Sequence, residues 1–133
     1  MGAGGVWCAC VWSAWLVLFD ATEQRLPDAL TLPAAAAALA FATLRPVALW
    51  GLVWPAGYLF FGRSIGGGDI KLAVPLGIAV CWFAGPAGVL AAVALSGLAT
   101  ALFCLVRKSA RVPHGPSMIA SAWAVAGLGY LWV

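Results

Sequence analysis

Acidic side chains are almost missing from this chain of 133 residues: Asp20, Glu23, Asp28 and Asp69 are all there are. Charged residues of both signs make up 8% of the composition, against 65% hydrophobic, whereas a soluble domain carries about 25% charged residues. So little charge cannot cover a water-soluble fold, and the composition predicts an all-α integral membrane protein. The net charge of +3 reflects a bias in the loops, which removes nucleic acid as an expected partner. Histidine is scarce too, His114 being the only one. The four cysteines, Cys8, Cys10, Cys81 and Cys104, form no Cys-x-x-Cys pair and no ligand spacing with His114, so neither a metal nor another cofactor is expected. They read as small apolar residues of helices. No Ser-His-Asp or Cys-His set is apparent, since Ser64, Ser96, Ser109, Ser117 and Ser121 have no base other than His114. Met1 to Gly5 lacks the basic region of a cleavable signal and is expected to open the first span.

What is present is apolar sequence in blocks. Charges and turn residues cut the chain into six segments, at about 3–19, 29–44, 46–62, 70–84, 86–106 and 117–133. We therefore expect one membrane domain over 1–133, a bundle of about six transmembrane helices. A perpendicular span needs roughly 20 residues, so the first and second segments must borrow flanking residues or thin the bilayer. Segment 70–84, short and containing Pro75 and Gly77, is expected as a broken or re-entrant helix. Ala34 to Ala38 reads as a close-packing surface, and the eight tryptophans, mostly near segment ends, as an interfacial belt. Arg25, Arg63, Lys71, Arg107, Lys108 and Arg111 fall in the loops 20–28, 63–71 and 107–116, and only Arg45 in an alternate loop. The positive-inside rule then makes those three loops cytoplasmic and both termini extracytoplasmic. By the same parity Asp20 and Asp69 share the cytoplasmic face.

A carboxylate near hydrocarbon depth is costly and marks a functional hypothesis. Taken singly, Asp20 reads as a solvated charge at a helix end, and Asp69 as the N-cap of a helix starting near Ile70. Taken together they are a candidate dyad, because two adjacent carboxyls tend to share one proton, leaving one acid and one base. Gly66, Gly67 and Gly68 supply a backbone free to adopt positive φ and to approach an extended peptide. Lys71 is expected to reach the headgroups or form a structural ion pair.

Phe19-Asp20 followed by Arg25-Leu26-Pro27-Asp28-Ala29-Leu30-Thr31 resembles the first motif of the type IV prepilin peptidases. Gly66-Gly67-Gly68-Asp69-Ile70-Lys71-Leu72 resembles their second, the Gly-x-Gly-Asp signature of membrane aspartic proteases. Val112-Pro113-His114-Gly115-Pro116-Ser117 resembles their third, Pro-x-Gly-Pro before the last helix. The resemblance implies an aspartic endopeptidase that removes the leader of type IV pilin-like precursors at the cytoplasmic face of the bacterial inner membrane. Asp20 and Asp69 would be catalytic. Gly66, Gly67, Gly68, Lys71, Pro113, Gly115 and Pro116 would bind substrate or shape the loops, and precursors and membrane lipid would be the partners. It also implies the minimal, protease-only form, as in tight-adherence pilus systems, without an N-methyltransferase domain. Two residues depart from the pattern. Asp28 stands where asparagine is usual and reads as the N-cap of the second segment. His114 stands where an aromatic is usual and reads as shaping the Pro-Gly-Pro turn, with tuning of substrate entry as the lesser alternative. The rival expectation is a non-catalytic membrane subunit that binds pilins. A small proton-relay transporter ranks behind it, because no internal repeat is visible.

Overall fold

The computed structural model describes residues 3–62, 65–108 and 112–131; Arg63, Ser64, Ser109 and Arg111 lie outside them. The described residues form helices joined by short loops, without strands. Helix α1 spans Ala3–Glu23 and α2 spans Asp28–Ala42. A 3₁₀ helix, Pro46–Leu52, runs into α3, Val53–Phe61. Helix α4 covers Gly67–Arg107 and α5 covers Gly115–Leu131. Among the described residues, α1 and α4 are the two helices long and apolar enough to cross a membrane. Large apolar side chains point outward on several elements, Trp7, Phe61, Val106 and Leu131 among them. An outward apolar surface of this extent suits hydrocarbon rather than water.

Helix α4 cannot be one straight rod. At 1.5 Å per residue its ends would stand about 60 Å apart, yet Asp69 near its start and Cys104 near its end line the same cavity. The chain folds back at Gly85, whose φ of 70° and ψ of −177° leave the helical region and favour glycine. Pro86 then opens the second arm, where a missing N–H is tolerated. The break falls where the sequence divides the fourth and fifth apolar segments. Across the turn a Cβ at Gly88 would lie 3.6 Å from Val80 Cγ1, which only a reversal of direction allows.

Helix α4 packs most extensively against α5 and the 3₁₀ helix. Leu16, Trp54, Leu72, Leu76, Val80, Val89 and Met118 form the core between the elements. Backbones touch where Gly51 faces Gly77: a Cβ on either would strike the other's carbonyl. This contact corrects the expectation of a break inside 70–84. The first arm is continuous from Gly67 to Ala84, because Pro75 removes only the bond to the Lys71 carbonyl and Gly77 serves close approach. The irregular segment is instead the third. Pro55 cannot donate to the carbonyl of Gly51, and the turns ahead of it are 3₁₀. Gly77→Ala is expected to destabilise the bundle by about 1–3 kcal/mol through forced separation of the two backbones, visible as a lower unfolding midpoint in detergent.

Arg45, the one basic residue that departs from the charge pattern, has a structural task. Pro86 has no N–H to offer the Trp82 carbonyl, and the Arg45 guanidinium donates to that oxygen at 3.0 Å while lying 5.5 Å from the Trp82 ring centroid. It thus braces the reversal of α4, at the far end of its arms from the cavity. Arg45→Met is expected to cost about 1 kcal/mol of stability, measured by thermal unfolding, with no change at the cavity.

The tryptophans are not only a belt. Trp12 Nε1 donates to the Leu30 carbonyl at 2.9 Å, tying α1 to α2, and Trp123 Nε1 donates to Ser13 Oγ at 2.9 Å, tying α5 to α1. Trp54 is buried in the core.

Candidate active site

Helix α1 ends one turn after Asp20. Gln24 takes a left-handed conformation, φ 51°, and its N–H donates to the Asp20 carbonyl at 3.1 Å. That places Asp20 on the last turn, pointing into the bundle, where it is only 5% exposed. Its Oδ2 accepts the backbone N–H of Gly115 at 2.9 Å, across 95 residues of sequence. Gly115 is the first residue of α5, so Asp20 occupies the N-terminus of that helix, where free amides and the helix dipole receive a carboxylate. A Cβ at Gly115 would lie 2.7 Å from Asp20 Oδ2. With any larger residue there the carboxyl would have to shift, so Gly115 acts on Asp20 rather than on the turn alone.

Asp69 sits in the first turn of α4. The helix begins earlier than expected, at Gly67, with Gly66 as its N-cap and no side chain capping it, so Asp69 is not the N-cap. Nor do the three glycines use positive φ, since Gly66 has φ −65° and Gly85 is the only glycine with positive φ among the described residues. Gly68 instead allows close packing, because a Cβ there would come to 3.0 Å from Leu26 Cβ. This contact presses the loop after Asp20 against the start of α4. Nothing lies within 4 Å of a Cβ at Gly67.

Asp20 and Asp69 line one cavity of about 630 Å³, within the roughly 300–1,000 Å³ usual for ligand sites, and each lies within electrostatic reach of the other. Gly66, Tyr58, Thr100 and His114 share its wall, as does Pro113. Lys71 does not line it. Its Nζ pairs with Asp28 Oδ1 at 2.6 Å, the structural ion pair expected as one of its two roles. Asp28 is accordingly not the N-cap of α2: Pro27 holds that position, and Asp28 belongs to the first turn. Gly67, Gly68, Gly115 and Pro116 are absent from the cavity wall, and Pro116 fits the first turn of α5 as prolines do.

Two residues that sequence reasoning passed over, Tyr58 and Thr100, complete the site around His114. His114 Nε2 lies 2.8 Å from Tyr58 Oη, and its Nδ1 lies 2.7 Å from Thr100 Oγ1. The imidazole thus links α3 and the second arm of α4 to the edge of α5. Burial pushes its pKa below the usual value, while the charge of Asp20 pulls the other way. The signal for His114 was its place beside Gly115. Tyr58 and Thr100 carried no sequence signal, being ordinary residues of apolar helices.

The described residues thus form an apolar helical bundle in which two carboxyls line one cavity. The model of the type IV leader peptidase family matches residues 7–105, a stretch containing both Asp20 and Asp69. The chain belongs to the type IV leader peptidase family, which is a family of proteases. No curated protein and no solved structure matches it.

Proposed function

We propose that this chain is a membrane aspartic endopeptidase that removes the leader of type IV pilin-like precursors, with Asp20 and Asp69 as its dyad. The observation that carries the reading is the convergence of these two carboxyls, from α1 and α4, on one cavity. In the proposed cycle a water lies between them and the two carboxyls share one proton, titrating as a pair. The ionised carboxyl takes a proton from the water as its oxygen attacks the scissile carbonyl. The protonated carboxyl gives its proton to the carbonyl oxygen. The tetrahedral intermediate then collapses: the ionised carboxyl takes a proton from one of its hydroxyls as the C–N bond breaks, and the protonated carboxyl delivers its proton to the leaving amine, so the pair again holds one proton. Gly115 acts as a positioning residue, its N–H fixing one oxygen of Asp20.

The six apolar segments correspond to α1, α2, the 3₁₀–α3 run, the two arms of α4, and α5. We read each as one crossing of the bacterial cytoplasmic membrane, with one domain, both termini outside and the cavity toward the cytoplasm. The charge pattern supports this orientation, and Arg45, its exception, already has a partner in Trp82. The precursor's apolar helix would dock against the bundle from the lipid, leaving its leader at the cavity.

The Asp20–Gly115 bond also suits a purely structural carboxylate that caps α5, as in a pilin-binding subunit without catalysis. Co-expression with a candidate precursor from the same genome, scoring leader removal by mass, separates the readings. The wild type and Asp28→Asn are expected to process the precursor, and Asp69→Asn to leave it whole. Processing by Asp69→Asn would favour the binding subunit.

A further inference from the structure

We propose that Tyr58, His114 and Thr100 form a positioning cluster that locks His114 in its Nδ1–H tautomer and thereby holds the Gly115 amide on Asp20. The tautomer follows from the hydrogen-bond geometry around a neutral ring, while its consequence for cleavage rests on the reading of Asp20 as a reacting carboxyl.

A neutral imidazole has one donor and one acceptor nitrogen, and both nitrogens of His114 are engaged. Thr100 carries a single hydroxyl proton. Its Oγ1 lies 3.0 Å from the Ser96 carbonyl one turn earlier in the same arm, the back-bond that helical threonines commonly make. A carbonyl can only accept, so the Thr100 proton goes to Ser96, and Oγ1 turns a lone pair toward His114 Nδ1 at 2.7 Å. Nδ1 must then carry the ring proton. Nε2 keeps its lone pair and receives the Tyr58 O–H at 2.8 Å. The donors run in one direction, from Tyr58 through the ring and Thr100 to Ser96, which is fully buried.

The backbone of His114 is held as well, its carbonyl accepting the Met118 N–H at 3.1 Å in the first turn of α5. A ring pinned at both nitrogens and a carbonyl pinned in the helix leave the following amide, that of Gly115, little freedom. That amide is the donor to Asp20. Among the described residues, the groups able to carry charge that line the cavity with this ring are Asp20 from α1, Tyr58 from α3, and Asp69 and Cys104 from the two arms of α4. Burial, which disfavours the imidazolium, keeps the ring in the neutral form that the chain of donors requires.

The single histidine makes the test direct. Nitrogen NMR of the full chain, labelled at histidine and held in lipid bilayers at neutral pH, reads the two ring nitrogens without overlap. The expected result is a protonated Nδ1 and a bare, hydrogen-bonded Nε2. A ring protonated at Nε2, or one averaging between tautomers, overturns the proposal. Thr100→Val should release the tautomer and Thr100→Ser should keep it, while Tyr58→Phe should leave Nδ1 protonated and weaken only the bond at Nε2. In the cleavage assay Thr100→Val is expected to lower kcat about tenfold through misplacement of the reacting group. KM should stay within about twofold of wild type, and Thr100→Ser should restore the rate. A released tautomer with unchanged kcat would refute the positioning role. Failure of the dyad reading looks different: Asp20→Asn and Asp69→Asn would then cleave as well as wild type, with the tautomer still locked.

Discussion

Asp69→Asn and Asp20→Asn are each expected to reduce leader cleavage by at least about 10³-fold, equivalent to about 4 kcal/mol of transition-state stabilisation. The amide keeps the size of the carboxyl but can neither take a proton from water nor give one to a carbonyl oxygen. At Asp20 this substitution also separates chemistry from architecture. Asparagine is as good as aspartate at a helix N-terminus, and its side-chain oxygen can still accept the Gly115 N–H now 2.9 Å from Asp20 Oδ2. Asp20→Asn should therefore insert, fold and melt like the wild type while failing to cleave. Asp20→Ala should lose both functions, with a stability cost of about 1 kcal/mol for the missing cap. Mass analysis of the co-expressed precursor, beside thermal unfolding of the purified variants, reads both effects. Normal cleavage by Asp20→Asn with loss in Asp28→Asn would transfer the first carboxyl to Asp28, against its pairing with Lys71 at 2.6 Å.

Gly115→Ala is the second change with a large expected effect, and it acts through geometry alone. The added methyl would lie 2.7 Å from Asp20 Oδ2 and 3.2 Å from its carboxyl carbon, closer than packed atoms tolerate. Asp20 is buried on a short side chain and can yield only by turning away from the amide and from Asp69. A displacement of about 1 Å at a reacting group costs on the order of 10²-fold in rate. We expect that loss in kcat, with KM little altered, because no group proposed to bind the precursor changes. If Gly115→Ala cleaves at the wild-type rate, the amide does not set the position of Asp20.

The glycines differ in how much of their role is written in the local sequence. Gly85 was legible: with Pro86 after it, between two apolar runs, it marks a break, and the structure puts the reversal of α4 there. Gly66, Gly67 and Gly68 were legible as a motif but not as a geometry. Their expected positive φ is absent, and the one with a demanding neighbour, Gly68, meets Leu26 from a different element. Gly77 suggested a weak helix for the same reason, because no local pattern shows that Gly51 presses against it. The prolines divide in the same way. Pro86 acts locally, whereas the partner that takes the carbonyl it strands, Arg45, comes from another element.

The sequence by itself determined the helical class, the apolar segments, the family and the two candidate carboxyls. These depend on composition, on hydrophobic runs and on the order of short motifs, all written along the chain. Only the tertiary structure decided that Asp20 receives the amide of Gly115, that Lys71 is held by Asp28, and that His114 is clasped between Tyr58 and Thr100. Each of these is a hydrogen bond or ion pair between elements 14 to 95 residues apart. Such contacts are fixed by how helices pack and where α4 turns back, and hydrogen-bonding side chains have many possible partners until packing brings one within about 3 Å.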